Sequence, residues 1–222
     1  MIRGGQVRLN GATPRNPETP VRLGVDRIEI AGVPLRAAEK VYVMMNKPRG
    51  IVTSAADDKG RDTVYALLPK DRDWLAPVGR LDKASEGLLV LTNDSEWAAR
   101  ITHPATHLEK SYHVQIAAKA DERLIEALGR GVETQKGEVL HAKRVSLLRA
   151  GEKNSWLEII LDEGKNRQIR RMLGAHGVEV LRLVRVAIGP LQLGDLPKGA
   201  HRAMRPEEKA ALDRAMGKRP EV

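Results

Sequence analysis

The sequence predicts an α+β fold built on a mainly antiparallel sheet, and three observations lead there. Strand-like and helix-like segments mix without a regular strand–helix–strand period. The longest apolar run is short, GLLVL at 87–91, as for one buried strand. Apolar residues make up 41% of the 222 residues, which suffices for a packed core.

The elements follow in chain order. Residues 6–9, 21–23 and 27–30 read as short strands divided by Asn10-Gly11, a proline-containing stretch and Ala31-Gly32. This basic piece, with Arg3, Arg8, Arg15, Arg22 and Arg27, is too small to build a good core alone. Residues 41–46 read as a buried strand ending in Lys47-Pro48-Arg49-Gly50, a turn carrying two cations. Helical pieces are expected at 62–68 and 95–102, the second introduced by Asn93 and Asp94 with Glu96 placed as in a capping box. Alternation at 111–116 predicts a strand, and Asp121 caps a helix ending at Gly129. A strand at 156–161, a basic helix at 166–175, an extended run at 178–186 and a helix at 206–216 opened by Pro206 complete the chain.

Composition narrows the function. No apolar run approaches the ~20 residues of a membrane span, and no signal-type apolar segment opens the chain, so a cytoplasmic, soluble protein is expected. Cysteine is absent, which excludes disulfides, thiolate catalysis and cysteine-built zinc sites. His103, His107 and His113 lie close in sequence, but Pro104 argues against one helix carrying them, and no metal site is expected. The formal net charge of +9 suggests a polyanionic partner, although it also serves solubility. Six aromatic side chains are too few for a surface that stacks many bases in a row, so recognition of a folded RNA with few bases extracted fits better.

Three segments could carry chemistry. In Gly79-Arg80-Leu81-Asp82, extended backbone would put Arg80 and Asp82 on one side and Leu81 in the core. A carboxylate kept ionised beside a guanidinium is a plausible nucleophile or base, and the same spacing also fits an ordinary surface pair. In EGKNRQIRRM at 163–172, Arg167, Arg170 and Arg171 share one helical face, with Ile169, Met172, Leu173 and His176 opposite. That face is either solvated or awaits phosphates or a catalytic carboxylate. In Lys110-Ser111-Tyr112-His113-Val114, alternation puts Lys110, Tyr112 and Val114 on one face, with Tyr112 either a core residue or a platform for a base.

Together these segments resemble the motifs of the RsuA-type bacterial ribosomal RNA pseudouridine synthase family. GRLDKASEGLLVLTND at 79–94 is similar to its motif around the catalytic Asp, EKSYHV at 109–114 to its tyrosine motif, and EGKNRQIRRM to its late basic motif. NKPRGIVTS at 46–54 resembles the segment that opens its catalytic domain. The resemblance runs through about residues 42–204. It implies the family's long mixed, mainly antiparallel sheet with flanking helices and a central cleft, and isomerisation of uridine in ribosomal RNA without metal or cofactor. Asp82 would act at the ribose as nucleophile or base, Arg80 would hold the RNA at the flipped nucleotide, Tyr112 would contact the uracil, and Arg170 would pair with Asp82. Lys47, Arg49, Lys110, Lys165, Arg167 and Arg171 are the expected RNA contacts.

Residues 1–36 resemble the strand-rich half of an S4-type RNA-binding domain, without its leading helices. The expected organisation is this partial S4-like segment, a catalytic domain at 41–205, and a C-terminal helix and tail at 206–222. A monomer acting on ribosomal RNA is expected, the large subunit favoured because SEGLLVLTN resembles those branches. The alternative is a non-catalytic RNA-binding or ribosome-assembly factor on the same scaffold. A DNA-binding regulator has little support, since no helix-turn-helix pattern stands out.

Overall fold

The computed structural model describes residues 1–22, 24–35, 39–54, 60–69, 74–134 and 137–217. The chain forms two compact units, Met1–Lys40 and Val41–Val222. In the first, β1 (Val7–Leu9), β2 (Ile28–Ile30) and β3 (Val33–Pro34) form an antiparallel meander. None of its described residues is fully buried, in keeping with a segment too short to enclose a core. Residues 21 and 22 are not in a strand, and residue 23 of the strand expected there lies outside the described residues.

The second unit opens with β4 (Tyr42–Lys47), a single 3-10 turn at Val64–Leu67 where a helix over 62–68 was expected, and β5 (Ala76–Val78). There follow β6 (Glu86–Thr92), α1 (Ser95–Thr102), β7 (Lys110–Ile116), α2 (Glu122–Arg130), β8 (Val132–Glu133), β9 (Val139–Leu140) and β10 (Arg144–Ala150). The chain closes with β11 (Ser155–Leu161), α3 (Gln168–Ala175), β12 (Val180–Ile188), β13 (Leu191–Gln192), β14 (His201–Ala203) and α4 (Pro206–Ala215).

One mixed sheet organises this unit, in the order β10-β11-β7-β12-β6-β4-β14, with β13 pairing β12 and β5 pairing β6. Its pairings are antiparallel except β12 with β6. The GLLVL run becomes β6, which is buried along its whole length because apolar layers cover both faces. Met44, Leu88 and Val90 pack with α1 and α4 on one face, and Val43, Met45, Leu89 and Leu91 pack with Val64, Leu75 and Leu81 on the other. A further core joins Val114, Leu157 and Leu183 to Leu128 of α2 and to Ile169, Met172 and Leu173 of α3.

The caps refine the sequence reading. Asp94, not Asn93, caps α1 by accepting from the Trp97 amide at 3.2 Å, while the Asn93 side chain accepts from the Val41 amide at 2.8 Å. Asp121 caps α2 as expected, accepting from the Leu124 amide at 2.9 Å. The apolar stripe of α3 holds through Leu173 but not at His176, which is exposed at the end of the helix. The helix also starts later than its charge pattern suggests, because Arg167 adopts a left-handed conformation at φ 49°.

Candidate active site

Between β5 and β6 the chain turns at Gly79, whose φ of 70° favours glycine, and enters the loop that carries Asp82. Leu81 anchors this loop: it is 6% exposed, and its carbonyl accepts from the Thr53 hydroxyl at 2.9 Å. Arg80 and Asp82 flank it, Arg80 exposed and Asp82 half-buried. The Asp82 carbonyl closes a turn by accepting the Ser85 amide at 2.9 Å.

The segment 47–53 acts as the loop's bracket. The ammonium of Lys47 donates to the carbonyls of Pro48 at 3.0 Å, Asp82 at 3.2 Å and Ser85 at 2.8 Å. The Gly50 amide donates to the Lys83 carbonyl at 2.8 Å. Lys47 is fully buried, so it is not available to RNA, contrary to the sequence expectation; its charge satisfies carbonyls that water cannot reach. Burial pulls its pKa down to about 8, while Asp82 and Glu86 raise it and Arg185 lowers it further.

Arg170 reaches the same loop from α3. Its Nη2 donates to the Ala84 carbonyl at 3.2 Å and its Nη1 to the Val180 carbonyl at 3.1 Å. The expected direct pair with Asp82 is therefore not formed, because backbone carbonyls hold the guanidinium. Its charge still acts on that carboxylate's surroundings: burial lowers the Arg170 pKa, Arg167 lowers it, Asp82 raises it and Arg49 lowers it. Among the described residues the Asp82 carboxylate itself makes no hydrogen bond and no ion pair. Among the described residues, three of the four buried side-chain polar atoms without a partner belong to this neighbourhood: Ser85 Oγ, Arg170 Nε and Arg185 Nη2.

The floor is a row of cross-strand partners. Lys47 opposes Gly87, Gly87 opposes Arg185, and Arg185 opposes Tyr112. Tyr112 is half-buried and packs against two of the apolar clusters. Lys110, on the same face of β7, is desolvated enough that its pKa falls, Arg185 adding to the drop and Asp162 opposing it.

The other expected RNA contacts divide. Arg49 is exposed, with Nη1 only 3.4 Å from the Leu181 carbonyl, and Arg167 is exposed beside Asn166. Lys165 lies between Glu163 at 3.2 Å and Glu138 at 3.6 Å, and Arg171 forms an ion pair with Glu138. The three arginines therefore do not share a free face: Arg170 turns inward and Arg171 is already paired.

Sequence reading missed Arg185, Thr53, Glu138 and Gln168. Gln168 is 3% exposed and ties the basic loop together, donating to the His141 carbonyl at 2.8 Å and to Glu163 at 2.6 Å. A charged residue inside the apolar run LRLVRVAI was the available signal for Arg185. Among the described residues no group of three or more histidine or carboxylate side chains could hold a metal, and no helix is long and apolar enough to cross a membrane.

A carboxylate without a partner among the described residues, within electrostatic reach of Lys47 and Arg170 and carried by a loop whose Leu81 belongs to the cluster that Tyr112 packs against, can attack or deprotonate a sugar carbon while its charge is stabilised. Comparison with known proteins identifies the family. The family model described as RNA pseudouridylate synthase matches residues 41–175. An uncharacterized RNA pseudouridine synthase of Aquifex aeolicus (strain VF5) is 37% identical over 218 residues, covering 98% of this chain and 87% of its own length. The ribosomal large subunit pseudouridine synthase B of Bacillus subtilis (strain 168) is 35% identical over 213 residues, covering 96% and 87%. A crystal structure of a pseudouridylate synthase superposes with a TM-score of 0.71 at 30% identity, covering 96% of this chain and 90% of that one.

Proposed function

This chain belongs to the RNA pseudouridylate synthase family and is an RNA pseudouridine synthase, an isomerase, and we propose that it acts on ribosomal RNA with Asp82 as the reacting carboxylate. The observation that carries the reading is the state of Asp82. Its backbone is clamped by Lys47 and Ser85, while its carboxylate is left uncommitted. A purely structural aspartate at such a place would normally be hydrogen-bonded.

In this reading a uridine leaves its stack, at a cost of a few kcal/mol that phosphate contacts offset. Exposed Arg49 and Arg167 supply cations for those contacts, with Lys165 and Arg171 joining once Glu138 releases them. Arg80, exposed beside Asp82, holds the RNA at the flipped nucleotide. Tyr112 contacts the uracil, and Arg170 supplies positive charge near Asp82 through the loop it grips. The Bacillus subtilis relative's name supports the large ribosomal subunit as the target. Exposed Arg3, Arg8 and Arg15 of the N-terminal unit, which resembles half of an S4-type domain, add phosphate contacts.

The test is Asp82→Asn. Ribosomal RNA from cells lacking the protein is incubated with wild type or variant, and its nucleosides are analysed by mass spectrometry. The variant is expected to bind the RNA as wild type does and to form no pseudouridine. Normal product from the variant would remove Asp82 from the chemistry, and no product from wild type would remove ribosomal RNA as the substrate.

A further inference from the structure

Arg185 stands out among the groups the proposed roles leave unused. It is 6% exposed in the middle of β12, donates Nε to the Leu88 carbonyl at 2.8 Å, and leaves Nη2 buried without a partner among the described residues. Among the described residues it forms no ion pair. The cations Lys47 and Lys110 lie close enough for Arg185 to depress both their pKa values. Asp82 and Glu86 act on Lys47 and Asp162 on Lys110, yet both lysine pKa values stay lowered. No carboxylate among the described residues bonds to Arg185, so a buried guanidinium with a bare N–H is better satisfied once an anion arrives. Directly opposed strand residues project to one face, so Arg185 shares its face with Tyr112, the residue proposed to meet the uracil.

The proposed reaction creates such an anion. When the C1′–N1 bond breaks, its electron pair stays with the base and spreads over N1 and the two carbonyl oxygens. The ribose is balanced either by a bond from the Asp82 carboxylate to C1′ or by transfer of a ribose proton to that carboxylate. C5 then bonds to C1′ as the Asp82–C1′ bond breaks and frees the carboxylate or, on the other route, as Asp82 returns its proton to the ribose; the C5 proton leaves to a base, and N1 takes up a proton. Nothing is oxidised or reduced, and between the two bond changes the base carries a negative charge.

We propose that Arg185 is a catalytic residue that binds the detached uracil anion, its free Nη2–H donating to a carbonyl oxygen of the base while Lys110 supports the charge. The proposal rests on the pseudouridine synthase reading above and adds a role to it. A strand-bridging role alone would need only the Nε–Leu88 bond. The bare donor, the neighbouring cations and the tyrosine on the same face all point to a ligand with delocalised negative charge.

The test uses leaving-group acidity. Single-turnover loss of the target nucleoside is measured in ribosomal RNA carrying uridine or 5-fluorouridine, whose base forms the more stable anion, with wild type, Arg185→Gln and Arg185→Lys. Arg185→Gln is expected to slow uridine by roughly 100-fold and 5-fluorouridine by about tenfold or less, as for loss of one donor to a developing anion, with Arg185→Lys between. Equal losses on both substrates would overturn the proposal. A second arm needs neither a folded variant nor RNA turnover: calorimetric titration of wild type with uracil and with 6-azauracil, which ionises near neutral pH. A preference for the anion of about tenfold or more is expected, and equal binding overturns the proposal even if ribosomal RNA proves not to be the substrate.

Discussion

The ammonium of Lys47 donates to the main-chain carbonyl of Asp82 at 3.2 Å, across 35 residues of sequence. With the bonds to Pro48 and Ser85, it fixes the loop from beneath, while the Asp82 carboxylate has no partner among the described residues. Lys47→Met is expected to lower kcat by about 10- to 100-fold, as for a misplaced catalytic group, with little change in RNA affinity. Single-turnover and binding measurements on the same RNA check the split.

The same residue gives a pH dependence. With a pKa of about 8, Lys47 loses a proton above that pH, and the neutral amine has two N–H groups for three carbonyls. The wild-type rate is expected to fall above pH 8, with that limb missing from Lys47→Met. The stability linkage has the opposite sign. The folded value lies below the 10.5 of a solvated lysine, so between about 8 and 10.5 the unfolded chain binds more protons and this group's contribution to stability rises with pH. Chemical denaturation at pH 7.5 and 9 distinguishes loss of rate from unfolding.

Gly87 lies where β6 and β12 meet in parallel. A Cβ there would collide with the Arg185 carbonyl oxygen and stand 2.7 Å from its nitrogen, at a φ of 103° that side chains avoid. Gly87→Ala is expected to destabilise the protein by more than about 3 kcal/mol or to prevent folding. Thermal unfolding measures it, and a wild-type melting temperature would contradict the close approach.

Glu208 joins β14 to α4. Its carboxylate accepts from both Nη atoms of Arg202, at 2.8 and 2.7 Å, and from the Arg205 amide at 2.8 Å. The Arg202 hydrogen bonds, outweighing burial and aided by Arg205, hold its pKa well below the usual carboxylate range. A depressed carboxylate stabilises the fold above its unfolded pKa, and that contribution is lost as pH falls below about 4. Glu208→Gln is expected to cost about 1 to 3 kcal/mol at neutral pH and to flatten the acid limb of stability. Urea denaturation across pH 3 to 7 checks both.

Glu138 holds Arg171 and Lys165 away from solvent anions, and Arg171 in turn keeps the Glu138 pKa low. Glu138→Gln is expected to tighten RNA binding by about three- to tenfold at low salt and to steepen its salt dependence by about one counterion. Unchanged affinity and slope would mean that these cations do not reach phosphate.

The sequence by itself determined the elements whose pattern is local. The unbroken apolar run of β6, the alternation of β7, the stripe of α3 through Leu173 and the Asp121 cap each follow from spacing along a few residues. The motif around Asp82 was legible only through its resemblance to a known family, since its spacing also fits an ordinary surface pair. The tertiary structure alone decided what the cations do. Lys47 looked like an RNA contact in a basic turn, yet its partners are carbonyls 35 and 38 residues away, and burial commits it to them. Arg171 found Glu138, Arg170 found Ala84 in place of Asp82, and Arg185 met no carboxylate among the described residues. A long flexible side chain takes its partner from whatever packing brings within reach, and residue spacing carries no record of that.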